Sequence, residues 1–148
     1  MSKLYFTVSA PLQSYGKITY SAHRMTYQRP TKTAIIGLIG AGLGYAHEDK
    51  RLDKLANQLD ITNEGIKPGS LLVDYQNCQY DTGIKKPNIK NKQLWRYYLQ
   101  DAKFKIIITG EPNLLKKIQY NLRHPAFQLY LGRRSCPLDR PLDLKYEE

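Results

Sequence analysis

Phe104-Lys105-Ile106-Ile107-Ile108, followed by Pro112 and then by Leu114, Leu115, Ile118 and Leu122, decides the fold of this chain. The first run is rich in aromatic and β-branched residues and reads as a strand. Pro112 suits a first helical position, where its missing N–H costs nothing. The four apolar residues after it fall on one face of an amphipathic helix, which must stop by Pro125. A strand delivering such a helix is half of a layered domain of sheet and helices.

Reading outward, Leu4-Tyr5-Phe6-Thr7-Val8 is a first strand that ends at Pro11. Residues 11–30 have no clear period and read as a long loop. Thr31 is placed as the N-cap of a helix over Lys32 to Leu43. Gly37, Ala41 and Gly44 form a small-residue stripe on it, suited to close packing; their spacing matches neither a dinucleotide fingerprint nor a P-loop. Residues 48–59 read as a short charged helix, with turns at Gly65, Pro68 and Gly69. Ser70 to Tyr75 is a strand, 76–93 a polar and basic loop, and Trp95 to Leu99 a return toward the core. Phe127 to Leu131 is the last strand. The order is βαββαβ, which predicts an α+β, ferredoxin-like (RRM-like) fold in a single domain over 1–148. That fold hosts many functions, so function has to come from the residues.

The chain of 148 residues carries 23 Lys and Arg against 13 Asp and Glu, a net charge of +10. Such a surplus points to a polyanionic partner. Fifteen of the cations fall in three acid-free tracts: Lys3, Lys17, Arg24, Arg29 and Lys32; then Lys85, Lys86, Lys90, Lys92 and Arg96; then Lys116, Lys117, Arg123, Arg133 and Arg134. Folded together, they would make a groove or clamp. Twelve Tyr and one Trp supply flat faces of the kind that single-stranded nucleic acid stacks on, although many of these must pack in sheets. The longest apolar stretch, 34–46, is too short to span a bilayer, which leaves a membrane role without support. Cys78 and Cys136 have no spacing that demands a bridge, and no leader peptide is visible; reduced thiols in a cytoplasm are expected.

Catalysis has little to stand on. The acids form no DxD pair, and the His and Cys residues lack zinc spacing, so neither a metal nor another cofactor is expected. Metal-free RNA cleavage needs a general base and a nearby cation. Of the three histidines, His23 beside Arg24 is the candidate, while His47 and His124 fall at helix ends.

Four motifs in order carry a resemblance: Pro11-Leu12-Gln13-Ser14-Tyr15-Gly16, Arg29-Pro30-Thr31-Lys32-Thr33-Ala34-Ile35-Ile36-Gly37-Leu38, Leu94-Trp95-Arg96-Tyr97-Tyr98-Leu99-Gln100-Asp101-Ala102 and Tyr130-Leu131-Gly132-Arg133-Arg134-Ser135-Cys136-Pro137. Together they resemble the CasD family, the fifth-numbered family of CRISPR-associated proteins, over residues 3–142. The resemblance implies a non-catalytic subunit of a type I-E Cascade that holds the 5′ handle of the guide RNA. It also implies a basic β-hairpin thumb at about 76–98, inserted between the second and third strands. Arg133 and Arg134 are expected to grip RNA backbone from a sharp turn, with Ser135 beside them. Gln13, Ser14 and Tyr15 are expected at the RNA, Tyr15 standing where members usually have Trp. Arg24, Arg29, Thr31, Lys32, Lys85, Lys86, Lys90, Lys92 and Arg96 complete the expected contacts.

Expected partners are the guide RNA, the backbone filament subunit and the large subunit, with target DNA joining in the assembled complex. Two rival readings are a metal-independent endoribonuclease maturing guide RNA and a chiefly structural adaptor. Relatives that process guide RNA look to a Lys-His pair in the thumb; here residues 76–98 hold lysines and no His. Members also continue past the Arg133-Arg134 motif with further β-rich sequence, so a C-terminal extension is expected to be absent or truncated.

Overall fold

A computed structural model describes residues 1–17, 21–85 and 87–148. Its framework is a four-stranded antiparallel sheet of β1 (Ser2–Ser9), β6 (Asp60–Lys67), β9 (Lys103–Gly110) and β10 (Lys145–Glu147), in the spatial order β10-β1-β9-β6. β1 and β9 pair along their whole length, from Ser2↔Gly110 to Ser9↔Lys103. Burial alternates on both strands, so Leu4, Phe6 and Val8 lie with Phe104, Ile106 and Ile108 on one face.

Two helices close that face. α1 (Lys32–Leu43) brings Ile35, Ile36, Leu38 and Ile39; α3 (Pro112–Arg123) brings Leu115, Ile118 and Leu122. Both start where local chemistry dictates. The Thr31 hydroxyl accepts from the Ala34 N–H at 3.2 Å. Glu111 accepts from the Asn113 and Leu114 N–H groups ahead of Pro112. A cap of this kind contributes about 1 kcal/mol. α2 (Lys50–Gln58), capped by Asp49, packs Leu55 and Leu59 at the rim of the core. The small residues of α1 divide their work. Gly42 faces Leu122 of α3 and Gly40 faces Leu52, whereas Gly37 has nothing within 4 Å of where a side chain would begin.

The second structural unit is a long hairpin, β7 (Ser70–Asp81) against β8 (Ile89–Gln100), paired without a break from Ser70↔Gln100 to Asp81↔Ile89. Two short pieces of the segment 11–30, read from sequence as a loop, add to the other edge of β8. β2 (Leu12–Gln13) pairs antiparallel with it, and β4 (His23–Arg24) pairs parallel as His23↔Trp95 and Arg24↔Arg96. β3 (Tyr15–Gly16) and β5 (Thr26–Tyr27) pair with each other.

The mixed class agrees with the sequence reading, and the first and third strands of the central sheet lie where expected, but the second and fourth do not. The central sheet's second strand is β6; the run 70–75 belongs to the hairpin, and most of the expected basic loop is regular strand. Phe127–Leu131 forms no strand. Ala126 and Phe127 donate to the Gly42 and Ala41 carbonyls, Leu129 and Leu131 plug the core, and Tyr130 makes one bridge, to Pro137. The fourth strand is the three-residue β10, and Asp143 prolongs its pairing by accepting from the Thr7 N–H at 2.8 Å. No helix among the described residues is long and apolar enough to cross a membrane.

Candidate nucleic-acid interface

Register assigns the hairpin's side chains to its two faces. Residues directly opposite across a sheet share a face, and successive residues alternate. The pairs Tyr80↔Lys90, Cys78↔Lys92, Asp74↔Arg96 and Leu72↔Tyr98 therefore put Lys90, Lys92 and Arg96 on one face. β4 adds Arg24 beside Arg96 on that face. From Lys90 to Arg96 the track runs about 20 Å at the usual strand rise. Lys85 stands exposed at the hairpin tip with φ 48. Lys86, also expected there, lies outside the described residues.

The track ends on the turn at 132–136. Arg133 lays its guanidinium over the Tyr98 ring, 5.3 Å from the centroid, and its Nη2 donates to the Arg24 carbonyl at 3.4 Å. Its Nη1 is buried and has no partner among the described residues. Arg24, Arg96 and Arg133 thus meet at the hairpin's root, from segments more than 100 residues apart in sequence. Arg134 does not join them. It is exposed and lines a groove of about 560 Å³ with Gly37, Tyr45, Phe127 and Tyr130, so the two adjacent arginines diverge instead of forming one fork. Ser135 is exposed, its Oγ 3.9 Å from the Cys136 sulfur.

Gly132 holds this turn in place. Its φ is +87, and a Cβ built there would fall 1.7 Å from the Ser14 carbonyl oxygen. Only glycine permits both the left-handed backbone and the approach. The Ser14 N–H donates to the Leu131 carbonyl, and the Leu131 N–H to that of Cys136. The expected Gln13-Ser14-Tyr15 contact set is for this reason internal. Gln13, Ser14 and Tyr15 are all buried. Gln13 Nε2 donates to the Ala102 carbonyl at 2.6 Å, the Tyr15 hydroxyl to Gln13 Oε1 at 2.5 Å, and Ser14 Oγ to the Tyr97 carbonyl at 2.9 Å. Burial pushes the Tyr15 phenol far above its usual range. Burial also raises the Cys136 thiol, against a smaller opposing pull from Ser135 and Arg133. These side chains build the shelf under the arginines and leave none of their polar atoms free for RNA.

A second basic group stands at the start of α1. Lys32 is exposed in the first turn, Thr31 is committed to its cap, and the Arg29 guanidinium lies near Gly65 of β6. Thr31 and Lys32 border a cleft that also reaches Tyr27, Tyr130 and Gly132, so this group and the arginine turn flank the same opening. The open face of the central sheet, by contrast, interleaves charges: Lys3 faces Glu147, Lys105 faces Glu64, and the Lys105 ammonium sits 4.9 Å over the Tyr5 ring.

His23 lies on the other face of the hairpin from Arg24. Its ring stacks on Trp95 at 4.6 Å and 6°, with Nδ1 2.9 Å from the Tyr97 hydroxyl. His47 and His124 are exposed, His124 held against the Tyr120 carbonyl. Among the described residues no group of three or more His, Cys, Asp or Glu could hold a metal ion. Cys78 is exposed and Cys136 buried, and both are free thiols. The residues that sequence reading missed are Tyr98, the floor under Arg133, and Gly132 as the joint. The period-two spacing of Lys90, Lys92 and Arg96 was the available signal for the basic face.

A mixed helix-and-sheet framework carrying a one-sidedly cationic hairpin defines the class. The family described as CRISPR-associated protein (Cas_Cas5) matches residues 3–148, and the chain belongs to it. It is 28% identical over 161 aligned residues to the CRISPR system Cascade subunit CasD of Escherichia coli strain K12, covering 97% of this chain and 70% of that one. A chain in a solved CRISPR RNA-guided surveillance complex superposes with a TM-score of 0.81 at 28% identity, over 95% of this chain. A crystal structure of a Cas protein gives 0.69 at the same identity. This chain spans 61% of the length of each of those two solved chains.

Proposed function

We propose that the chain is an RNA-binding subunit of a Cascade-type surveillance complex in the cytoplasm, which holds the 5′ handle of the guide RNA without cutting it. One observation carries the reading: Lys90, Lys92, Arg96, Arg24 and Arg133 share one face of the hairpin and its root. Alternate cations along a strand follow an extended sugar–phosphate backbone, and guanidinium groups bind phosphate in two-point fashion. The naming of its relatives as Cascade and surveillance-complex proteins supports the same reading.

The strand order β10-β1-β9-β6 supports reading the framework as a ferredoxin-like (RRM-like) domain, with the hairpin as a thumb between its second and third strands. In this reading the domain caps the backbone filament, with the large subunit and the target DNA as further neighbours in the assembled complex. The non-catalytic assignment rests on His23: its ring faces away from Arg24, Arg96 and Arg133, so the one plausible base is separated from the cations that would stabilise a phosphorane.

The test is a mobility assay of the chain with end-labelled repeat RNA in EDTA, beside a scrambled RNA. The expected result is a shift favouring the repeat, with the RNA intact. A log–log salt slope near −3.5 follows, about −0.7 for each of five cations, or roughly a hundredfold loss of affinity between 50 and 200 mM salt. Discrete cleavage within the repeat would replace this reading with a processing nuclease. Equal affinity for both RNAs would favour the adaptor.

A further inference from the structure

Along β7 and β8 the other face of the same hairpin carries no Lys or Arg. Leu71, Val73 and Tyr75 stand there across from Leu99, Tyr97 and Trp95, and they are 59%, 46% and 51% exposed. β7 pairs only with β8, so its outer edge has no strand partner among the described residues. Proteins normally blunt such edges with Lys, Pro, a bulge or a very short strand. β7 has no Lys, Pro or bulge, and Asp74 is the one charge inside it: it is twelve residues long, unbroken in register, and reads Ser-Leu-Leu-Val-Asp-Tyr-Gln-Asn-Cys-Gln-Tyr-Asp.

We propose that the outer edge of β7 accepts an added strand from another protein, an extended segment with alternating apolar and acidic side chains. Backbone hydrogen bonds along the edge give such a strand its affinity, and alternate side chains give it specificity. The apolar set would cover Leu71, Val73 and Tyr75. The acidic set would emerge on the opposite face, which carries Arg96, Lys92 and Lys90 about two strand spacings away, roughly one Debye length at 0.1 M salt, so the attraction is partly screened and is opposed near Arg96 by Asp74 of β7. Nucleic acid is disfavoured because the exposed apolar face offers it no cation. A second copy of this chain is disfavoured because it would set two basic faces edge to edge, each on a chain of net charge +10. The inference uses the face that the RNA reading leaves unused, and does not depend on that reading.

The test uses the full chain and a capped synthetic peptide, Glu-Val repeated four times, with its fully N-methylated counterpart as control. The control keeps the charge and side chains but has no amide donors. Amide exchange is followed by mass spectrometry. The expected result is exchange slowed roughly tenfold or more at β7 amides with the first peptide and not with the second. Val73→Lys with Tyr75→Lys should abolish the protection; if that variant fails to fold, the comparison of the two peptides on the unaltered chain still decides. Equal protection by both peptides, protection of β7 by single-stranded RNA, or a doubled mass in light scattering that is lost on Val73→Lys would each overturn the proposal.

Discussion

Replacing Gly132 by alanine should cost this fold more than any other single methyl group. The backbone there has φ +87, and the added Cβ would stand 1.7 Å from the Ser14 carbonyl oxygen, where an ordinary carbon–oxygen contact needs about 3.3 Å. The left-handed conformation costs about 1–2 kcal/mol for a residue with a side chain. The clash obliges the turn at 132–136 to retreat by about 1.5 Å, and overpacking of that kind costs about 1–3 kcal/mol more. The total, about 2–5 kcal/mol, is a large share of the stability of a domain this size and corresponds to a fall in Tm of about 4–20 °C. Urea unfolding followed by tryptophan fluorescence measures it, since Trp95 is the only Trp. Gly37→Ala is the control. Nothing lies within 4 Å of its new methyl group, and a helix gains about 0.5–1 kcal/mol from the exchange. A Gly132→Ala chain that unfolds within 0.5 kcal/mol of the parent would refute the claim that this glycine joins the two segments.

Arg133→Ala should reduce the salt slope of RNA binding by about 0.7, whereas Arg134→Ala, which points into the other groove, should leave it within error; equal effects would mean the two side chains act together. Tyr15→Phe leaves the buried Gln13 Oε1 without its donor and should destabilise by about 1–3 kcal/mol while the folded fraction keeps its RNA affinity. Glu111 is held below its ordinary pKa by the Asn113 and Leu114 N–H groups. Its stabilisation is therefore complete above the ordinary carboxylate range and fades as pH falls through the lowered folded value. Glu111→Gln should flatten the acid side of the Tm–pH curve, and an unchanged curve would show that the cap carries no charge-dependent stability.

What could be read in the sequence depended on whether each signal was local. Thr31, the apolar period of α1, Pro112 and the alternation of β9 each act within a few residues, and all of them placed their elements. β6 was illegible because it is a mostly exposed edge with only Ile61 and Ile66 as large apolar residues, and its sheet partner is some 40 residues away. Phe127–Leu131 misled for the opposite reason, since Leu129 and Leu131 serve the core from an irregular backbone. At the candidate site the structure brings some of the expected residues together and buries others. Lys90, Lys92, Arg96, Arg24 and Arg133 share one face and its root, while Gln13 and Ser14 turn inward, because a buried polar side chain is defined by partners such as the Ala102 and Tyr97 carbonyls that sequence proximity does not reveal. The divergence of Arg133 from Arg134 comes from a turn whose geometry depends on Ser14.

The separation of 109 residues between Arg24 and Arg133 also bears on synthesis at the ribosome. Chains emerge at about 5–20 residues per second, so Arg24 waits about 5–20 s before its partner is made. The aromatic hairpin, complete only at Gln100, is then exposed for about 2–7 s more without the turn that braces it. Non-local closure of this kind is slow, and it comes last. The root of the basic face is therefore completed last, when residues 131–136 lock onto Ser14 and bring Arg133 to Arg24 and Tyr98.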